Sequence, residues 1–360
     1  MQMKAVLALA DGTILRGVGF GAEKEVAAEV VFNTSLVGYE ESLTDPSYKG
    51  QILISTYPLI GNYGVRRDGF ESDKIQVDGF VVRELCAEPQ HRGSTKTVDA
   101  WLKEHNVPCI AGVDTRMLVR KIREFGVING ALATSENKID ETKVLQLARR
   151  AGNYSEKNLL EAVSVKWPTK FFVNGKKTIA AIDTGIKQNI IRSFNQRGVN
   201  VLLLPYDTKA DELEQYKFDG LFLASGPGDP EMARPVIKLI QETYEKYPIN
   251  AICLGHQLVA LALGGKTYKL KFGHRGTNQP VKSLAENKIY ITSQNHGFAV
   301  DAESLKGSGL EISHTNMNDN SVEGMLHKKL SIQTVQFHPE ASPGPWDTQN
   351  ILDRFIRNLR

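Results

Sequence analysis

Apolar and polar residues follow two different rhythms along the chain. Residues 4–21 form two apolar runs around Asp11 and Gly12, and an Asp-Gly pair between strand-forming residues is a strong hairpin signal because both positions tolerate positive φ. Further on, Asp114 stands where it can cap a helix, and Gly126 stands where that helix would end. The first part of the chain is therefore predicted to mix α and β structure.

The second half shows a βαβ rhythm, in which short apolar runs alternate with helical periodicity. Such a rhythm places strands parallel to one another, with helices packed across them. The predicted strands are residues 178–182, 199–204, 220–224 and 249–253, and the predicted helices are residues 189–196 and 231–247. Ligands of such a doubly wound sheet gather at the carboxyl ends of its strands.

Between these two parts, residues 136–170 are polar and helix-prone. We interpret this stretch as a connector between an N-terminal domain over 1–135 and a C-terminal domain over 171–360. The predicted fold class is α/β, with a mixed α/β N-terminal domain followed by a doubly wound, mostly parallel sheet.

Composition narrows the class of protein. Of the 360 residues, 41% are hydrophobic and 24% are charged, and 44 Lys and Arg against 41 Asp and Glu give a net charge of +3. This suits two globular domains and excludes fibrous and disordered classes. No basic block marks a nucleic-acid or membrane surface, and no apolar stretch reaches the roughly 18 residues of a membrane span. Because the chain begins with a strand-like pattern instead of a signal peptide, we expect a soluble cytoplasmic protein that binds neither nucleic acid nor membrane.

Three cysteines, Cys86, Cys109 and Cys253, are too few and too widely spaced for a disulfide framework or a zinc site, so no metal site is predicted. Cys253 stands out because it ends a predicted strand and opens an apolar helix, and Gly255 gives the small neighbour that a sharp strand-to-helix turn needs. At a helix N-terminus the macrodipole favours the nucleophilic thiolate. A lone cysteine is more often a small core side chain, so its partners must decide.

A base for this thiol is offered by His338, with Glu340 two residues later. If both lie at the end of a strand, period-two alternation puts them on one side, where the carboxylate can hold the imidazole in the tautomer that accepts a proton. His256 is the rival base, but its place on the nucleophile's own helix favours packing or hydrogen bonding. The remaining histidines are expected in solvated loops: His91, His105, His274, His314 and His327.

An acyl-transfer site also needs hydrogen-bond donors for the developing oxyanion. Residues 226–230, Gly-Pro-Gly-Asp-Pro, follow a predicted strand, and glycines allow backbone N–H groups to approach a substrate closely. Together with the N–H of Leu254, this loop is a candidate oxyanion hole, although a Gly-Pro-Gly segment by itself is more often only a turn. No phosphate-loop pattern marks an ATP site in the chain.

Three of these motifs resemble class I glutamine amidotransferases: residues 253–257 (CLGHQ), 225–230 (SGPGDP) and 337–340 (FHPE). Further segments resemble one family in particular, the small, glutamine-hydrolysing subunits of carbamoyl phosphate synthetases, and the resemblance covers essentially the whole chain. These segments are residues 31–35 (VFNTS), 43–48 (LTDPSY), 112–116 (GVDTR), 273–276 (GHRG), 293–298 (SQNHGF) and 340–345 (EASPGP).

The resemblance implies that Cys253 is the nucleophile, His338 the general base and then the acid, and Glu340 the residue that orients the imidazole. It also implies a glutamine pocket at a domain interface, formed by Ser47, Gly226, Gly228, Leu254, Gln257, Asn295, Gly297 and Phe298. The N-terminal domain would dock a large synthetase subunit that receives ammonia and combines it with bicarbonate and ATP to make carbamoyl phosphate for pyrimidine and arginine synthesis. No cofactor is expected in this chain, whereas ATP and a divalent metal are expected on the partner.

Two other functions stay open at this point. The chain could be the glutaminase subunit of a different synthetase, or a peptidase of similar fold. It could also be a non-catalytic binding subunit, an alternative favoured only by Ala251, which stands where the family usually has Gly in its nucleophile turn.

Overall fold

The computed structural model describes residues 2–66 and 68–360. The chain divides into two compact units, Met1–Glu156 and Lys157–Arg360. None of the helices in the described ranges is both long enough and apolar enough to cross a membrane.

The first unit is built on a closed barrel of strands in the order β1-β2-β8-β6-β4-β3-β9. The strands of this unit are β1 Lys4–Leu9, β2 Ile14–Gly21, β3 Glu25–Asn33, β4 Gln51–Ser55, β5 Leu59–Ile60, β6 Gly79–Val81, β7 Glu84–Leu85, β8 Pro108–Ala111 and β9 Ile128–Ser135. Its helices are α1 Tyr39–Thr44, α2 Val98–Glu104, α3 Thr115–Phe125 and α4 Glu141–Arg149, with 3₁₀ turns at Pro46–Tyr48 and Tyr154–Glu156.

Two local predictions for this unit are confirmed. The hairpin over 4–21 is present, since β1 and β2 pair antiparallel. The predicted helix is α3, whose first turn is capped by Asp114 Oδ1 accepting the N–H of Met117 at 2.9 Å. Gly126 follows its last turn with a φ of 96°, a backbone angle that glycine adopts without strain.

The apolar core of the first unit joins the barrel strands to α2, with Phe20, Leu53, Phe80 and Trp101 among its members. Cys109 is buried within this cluster, and burial raises the pKa of its thiol. Cys109 is therefore a packing side chain. The helix α4, which lies inside the segment 136–170, packs against β1 and β9.

The second unit contains one large sheet in the order β10-β12-β11-β13-β14-β19-β18-β17-β15-β16. Its strands are β10 Thr169–Phe171, β11 Lys177–Asp183, β12 Val199–Pro205, β13 Gly220–Leu223, β14 Ile249–Ile252, β15 Thr267–Ser283, β16 Lys288–Val300, β17 Leu310–Asn316, β18 Val322–His327 and β19 Ile332–Val335. Its helices are α5 Leu160–Val163, α6 Gln188–Gln196, α7 Ala210–Leu213, α8 Arg234–Thr243, α9 Leu254–Ala262 and α10 Asn350–Arg357, with 3₁₀ turns at Pro230–Met232 and Glu303–Leu305.

The centre of this sheet is parallel, through β12, β11, β13, β14 and β19. Strand alternation sorts its side chains into two apolar clusters. In β11, Ala180 and Ile182 join the cluster that includes α8 and α9. Ile179 and Ala181 join the cluster that includes α6 and α10. Helices cover both faces, which explains why the strands are continuous apolar runs, and the predicted α/β fold class is confirmed.

The helix predicted over 231–247 is wrong in length, because α8 spans only Arg234–Thr243. Pro235 stands in its first turn, where the missing N–H of proline has no helical acceptor in any case, so the helix begins there. At the other end, Pro248 disfavours helical backbone at the residue before it. The prediction overran because apolar periodicity continues past both ends.

We expect Phe222→Ala to lower the free energy of unfolding of the second unit by about 3–5 kcal/mol. The ring is fully buried and packs edge-on against Phe194 at 5.1 Å between ring centroids. Denaturant titration followed by circular dichroism measures the change. The control is Phe172→Ala, because the side chain is 51% exposed and its loss should cost less than about 0.5 kcal/mol. Equal shifts for both variants would contradict the proposed core.

Candidate active site

The turn between β14 and α9 gives Cys253 a backbone conformation that few side chains adopt, with φ 56° and ψ −107°. The turn is pressed against β13, since a Cβ on Gly255 would lie 2.3 Å from the carbonyl oxygen of Leu223. The N–H of Gly255 donates to the carbonyl of Ala224 at 3.0 Å. Only glycine fits at residue 255, so the sharp turn foreseen from the sequence depends on it.

The thiol of Cys253 is buried, with 1% of the residue exposed. Its backbone N–H donates to the carbonyl of Val335 at 2.9 Å, which continues the pairing of β14 with β19. Its Sγ contacts the carbonyl oxygen of Asn295 at 3.6 Å. The sulfur is thus fixed between the end of the parallel sheet and β16.

His338 reaches the site by a route that differs from the prediction. β19 ends at Val335, so His338 and Glu340 do not stand on a strand. Instead the N–H of His338 donates to the carbonyl of Ser293 at 2.9 Å, as an isolated bridge to β16. A turn then follows, in which the N–H of Ala341 returns to the carbonyl of His338 at 3.1 Å. The turn, and not period-two alternation, brings the carboxylate to the imidazole.

The imidazole and carboxylate are paired in the fully buried site, with Nδ1 of His338 2.7 Å from Oε1 of Glu340. Nε2 of His338 is buried and has no hydrogen-bond partner among the described residues. Burial lowers the pKa of His338, but the charge of Glu340 and the neighbouring sulfur of Cys253 raise it by more, so the net shift is upward. The second nitrogen is therefore available to the thiol.

Lys187 is a member of this site that the sequence reasoning missed. Its Nζ lies 3.1 Å from Oε1 of Glu340 and donates to the carbonyl of Ala341 at 2.9 Å. Burial raises the pKa of Glu340, but the charges of Lys187 and His338 lower it to about 2. The available signal was position, because Lys187 follows the carboxyl end of β11, where ligands of such sheets gather.

Predicted pocket residues lie on both sides of the thiol. Gln257 is buried on α9. Its Nε2 donates to the backbone carbonyl of Phe298 at 2.8 Å and to the side-chain Oε1 of Gln336 at 2.9 Å. Phe298 is a buried residue of β16, which also carries Asn295 and Gly297. The structure therefore brings α9 and this part of β16 together around Cys253.

The candidate oxyanion loop follows β13. A Cβ on Gly226 would lie 1.9 Å from the carbonyl oxygen of Thr184, so glycine is required there. Gly228 has a φ of 94°. Leu254 is the first residue of α9, and the first N–H groups of a helix have no acceptor within it. The two predicted sources of oxyanion donors are thus the loop after β13 and the first residue of α9.

Ser47 is the predicted pocket residue that belongs to the first unit. It lies in the 3₁₀ turn Pro46–Tyr48, where its N–H donates to Oδ1 of Asp45 at 2.9 Å. Its hydroxyl is buried and has no hydrogen-bond partner among the described residues.

The rival base His256 has the hydrogen-bonding role that its position predicts. Its Nδ1 lies 2.8 Å from Oγ1 of Thr334, and burial, with a smaller contribution from His314, lowers its pKa to about 3. The expectation of solvated loops is wrong for His274 and His314, which are buried on β15 and β17. Asp319 and Glu323 accommodate His274, and the hydroxyl of Ser313 contacts His314. Sequence reasoning did not foresee these polar neighbours.

Comparison with known proteins gives the same family for the whole chain. The family model for the carbamoyl-phosphate synthase small chain, CPSase domain, matches residues 7–132, and that for glutamine amidotransferase class-I matches residues 180–358. A carbamoyl phosphate synthase small chain of Methanocaldococcus jannaschii is 52% identical over 358 residues, and that of Archaeoglobus fulgidus is 49% identical over 358 residues. The Aquifex aeolicus small chain is 48% identical over 370 residues, and each comparison covers 99% of both chains.

The resemblance inferred from the motifs is therefore confirmed. This chain belongs to the family of carbamoyl phosphate synthase small chains and contains a class-I glutamine amidotransferase domain.

Proposed function

We propose that this chain is the glutamine-hydrolysing small subunit of a carbamoyl phosphate synthetase, with Cys253, His338 and Glu340 as its catalytic triad. One observation carries the assignment of roles: the imidazole is held by Glu340 through Nδ1 at 2.7 Å while its buried Nε2 makes no other hydrogen bond among the described residues. This leaves Nε2 to exchange a proton with the thiol.

The proposed reaction begins when Sγ of Cys253 attacks the side-chain amide carbon of glutamine. N–H groups of Leu254 and of the Gly226 loop stabilise the oxyanion that forms. His338 then gives its proton to the departing nitrogen, the C–N bond breaks, and ammonia leaves a γ-glutamyl thioester. Water, activated by the same imidazole, hydrolyses the thioester to glutamate and restores the thiol.

The proposed glutamine pocket combines backbone and side-chain groups around this centre. Its members, in addition to the oxyanion donors, are Gln257, Asn295, Gly297, Phe298 and Gly228, and the family resemblance adds Ser47. Support comes from the buried thiol contact with Asn295 at 3.6 Å and from the bond of Gln257 to Phe298 at 2.8 Å. These contacts support a role in glutamine recognition for the part of β16 that lies beside the nucleophile.

We base the proposed partner on the family to which the chain belongs, and not on any surface of this chain. Relatives are named small chains, and we infer a large synthetase subunit that receives the ammonia as a heterodimeric partner. ATP and a divalent metal would bind to that subunit, where bicarbonate and ammonia become carbamoyl phosphate. The N-terminal domain over 1–135 is the proposed docking domain, and the complex is proposed to be cytoplasmic.

We expect Cys253→Ser, in the complex with the large subunit, to reduce glutamine-dependent carbamoyl phosphate synthesis by at least about 10³-fold, because the nucleophile is lost. Synthesis from added ammonium salt should persist, since that route bypasses the thiol. Steady-state assays with each nitrogen source measure both rates. Cys86→Ser, at a half-buried cysteine of the first unit, is the matched control and should retain both. Loss of both activities in Cys253→Ser alone would assign the cysteine a structural role.

Replacing His338 and replacing Glu340 should have unequal effects on glutamine hydrolysis. His338→Asn removes the acid and base, and we expect kcat to fall by about 10²- to 10⁴-fold. Glu340→Gln keeps the imidazole and should cost less, because only its orientation and charge stabilisation are lost. Glutamate release by the isolated chain measures both variants. The opposite ranking would overturn the roles assigned to these two residues.

The Glu340→Gln variant should also shift the alkaline side of the pH profile. The carboxylate raises the pKa of His338, so imidazolium persists to higher pH, and its proton is lost as pH rises through that raised value. A neutral amide removes this effect, so the fall in kcat/KM should begin at lower pH in the variant. Profiles of kcat/KM against pH test the shift, and an unmoved alkaline limb would show that Glu340 does not govern the charge of His338.

A further inference from the structure

A second group of buried polar side chains lies behind the strand segment 294–298 of β16. Its centre is Glu323 on β18, which is fully buried. Oε1 of Glu323 accepts a hydrogen bond from Nδ2 of Asn316 at 2.9 Å and lies 3.5 Å from Nδ1 of His274. The other nitrogen of His274 lies 2.9 Å from Oδ2 of Asp319. These contacts join the side chains into one cluster. A buried carboxylic acid would be costly without such partners.

His274 carries the positive charge of this cluster. Burial lowers the pKa of His274, but hydrogen bonds and charges of Asp319 and Glu323 raise it to about 9. The imidazolium therefore stands between two acidic side chains at neutral pH. His274, His296 and Glu323 also place ligand-type atoms within 4.8 Å of one another, but the cation of this cluster is already supplied by His274.

A chain of contacts leads from Glu323 to the proposed glutamine pocket. His274 pairs with His296 across strands β15 and β16, and the two rings lie edge to face with their centroids 4.9 Å apart. Nε2 of His296 lies 3.0 Å from Oε1 of Gln294. Nδ1 of His296 lies 2.8 Å from the carbonyl oxygen of Phe298, which also accepts from Gln257. Glu323 is thus linked to the segment through His274, and hydrogen bonds within the segment join Gln294, His296 and Phe298.

Backbone pairing alone does not hold this segment in place. The pairing of β15 with β16 is irregular within the segment, between Lys269 and His274, and again just before it, between Gly276 and Gln279. His274 to Gly276 pair opposite 294–296, and Phe298 pairs with Lys269 beyond the irregularity. Directional side-chain hydrogen bonds must therefore supply the precision that a continuous ladder would give.

We propose that Glu323 is a positioning residue for glutamine binding, which holds segment 294–298 against the nucleophile through His274 and Asn316. The inference rests on the proposed glutaminase activity and adds a residue remote from the triad to it. Glu323 acts on recognition, because the segment contributes Asn295, Gly297 and Phe298 to the proposed pocket, whereas the proton-transfer groups lie on other elements.

The test compares two substitutions at this position in the full chain. Glu323→Ala leaves its buried partners without an acceptor, and we expect KM for glutamine to rise about tenfold or more while kcat stays within about twofold. Glu323→Gln retains an acceptor for Asn316 and should return KM to within about threefold of the unchanged chain. Met325→Ala, a buried apolar position on the same strand, is the matched control, which should lower thermal stability without raising KM.

Each result decides for or against the proposal. Unchanged KM in Glu323→Ala, or an equal rise in Met325→Ala, would reduce Glu323 to a packing role. If Glu323→Ala does not fold, Asn316→Ala replaces it, and it should raise KM by about threefold or more because one bond to the carboxylate is lost. One equivalent of tightly bound metal in the purified protein would also overturn the proposal, since an ion would then hold the cluster. Failure of the glutaminase assignment itself is separate, because the unchanged chain would then release no glutamate.

Discussion

The site depends on one backbone constraint, the strained positive-φ conformation of Cys253 between β14 and α9. Such a conformation costs on the order of 1–3 kcal/mol and persists only where its surroundings fix it. Here the strand side is fixed by the pairing of Cys253 with Val335. The helix side is fixed by contact between Gly255 and the carbonyl of Leu223, where no Cβ fits. Because the turn is held on both sides, the backbone at Cys253 is fixed, and the other groups of the site can be organised around it.

The site must also compensate its buried charges, and it does so with a row of side chains whose charges alternate in sign. Lys187, Glu340 and His338 lie within hydrogen-bonding distance along the row. Removing any one partner from such a row leaves an uncompensated buried charge, which is strongly destabilising. The row also sets the chemistry, because the lysine keeps Glu340 ionised despite its burial and the carboxylate then favours the charged imidazole.

The sequence predicted those features that depend on neighbours in the chain. The helix start at Asp114 and the turn at Cys253 could be foreseen because capping and small-residue requirements are local. Closure of the barrel could not, since β3, β4, β6 and β8 pair in parallel across long connections. His338 was identified by residue type, but its bridge to Ser293 involves a distant strand. Lys187 was missed for the same reason, because its partner is separated from it by most of the second unit.

The second unit uses two different means of fixing its strands. In the parallel half, apolar side chains fill both faces, and packing of this kind tolerates small shifts because dispersion contacts are not directional. In the antiparallel half, the strand segment beside the thiol is held by a hydrogen bond from Gln257 to the carbonyl of Phe298, and His296 of the same segment contacts that carbonyl as well. A small displacement breaks a hydrogen bond but only loosens an apolar contact. Polar residues are therefore concentrated behind β16, where recognition of an amide substrate requires donors and acceptors at fixed positions.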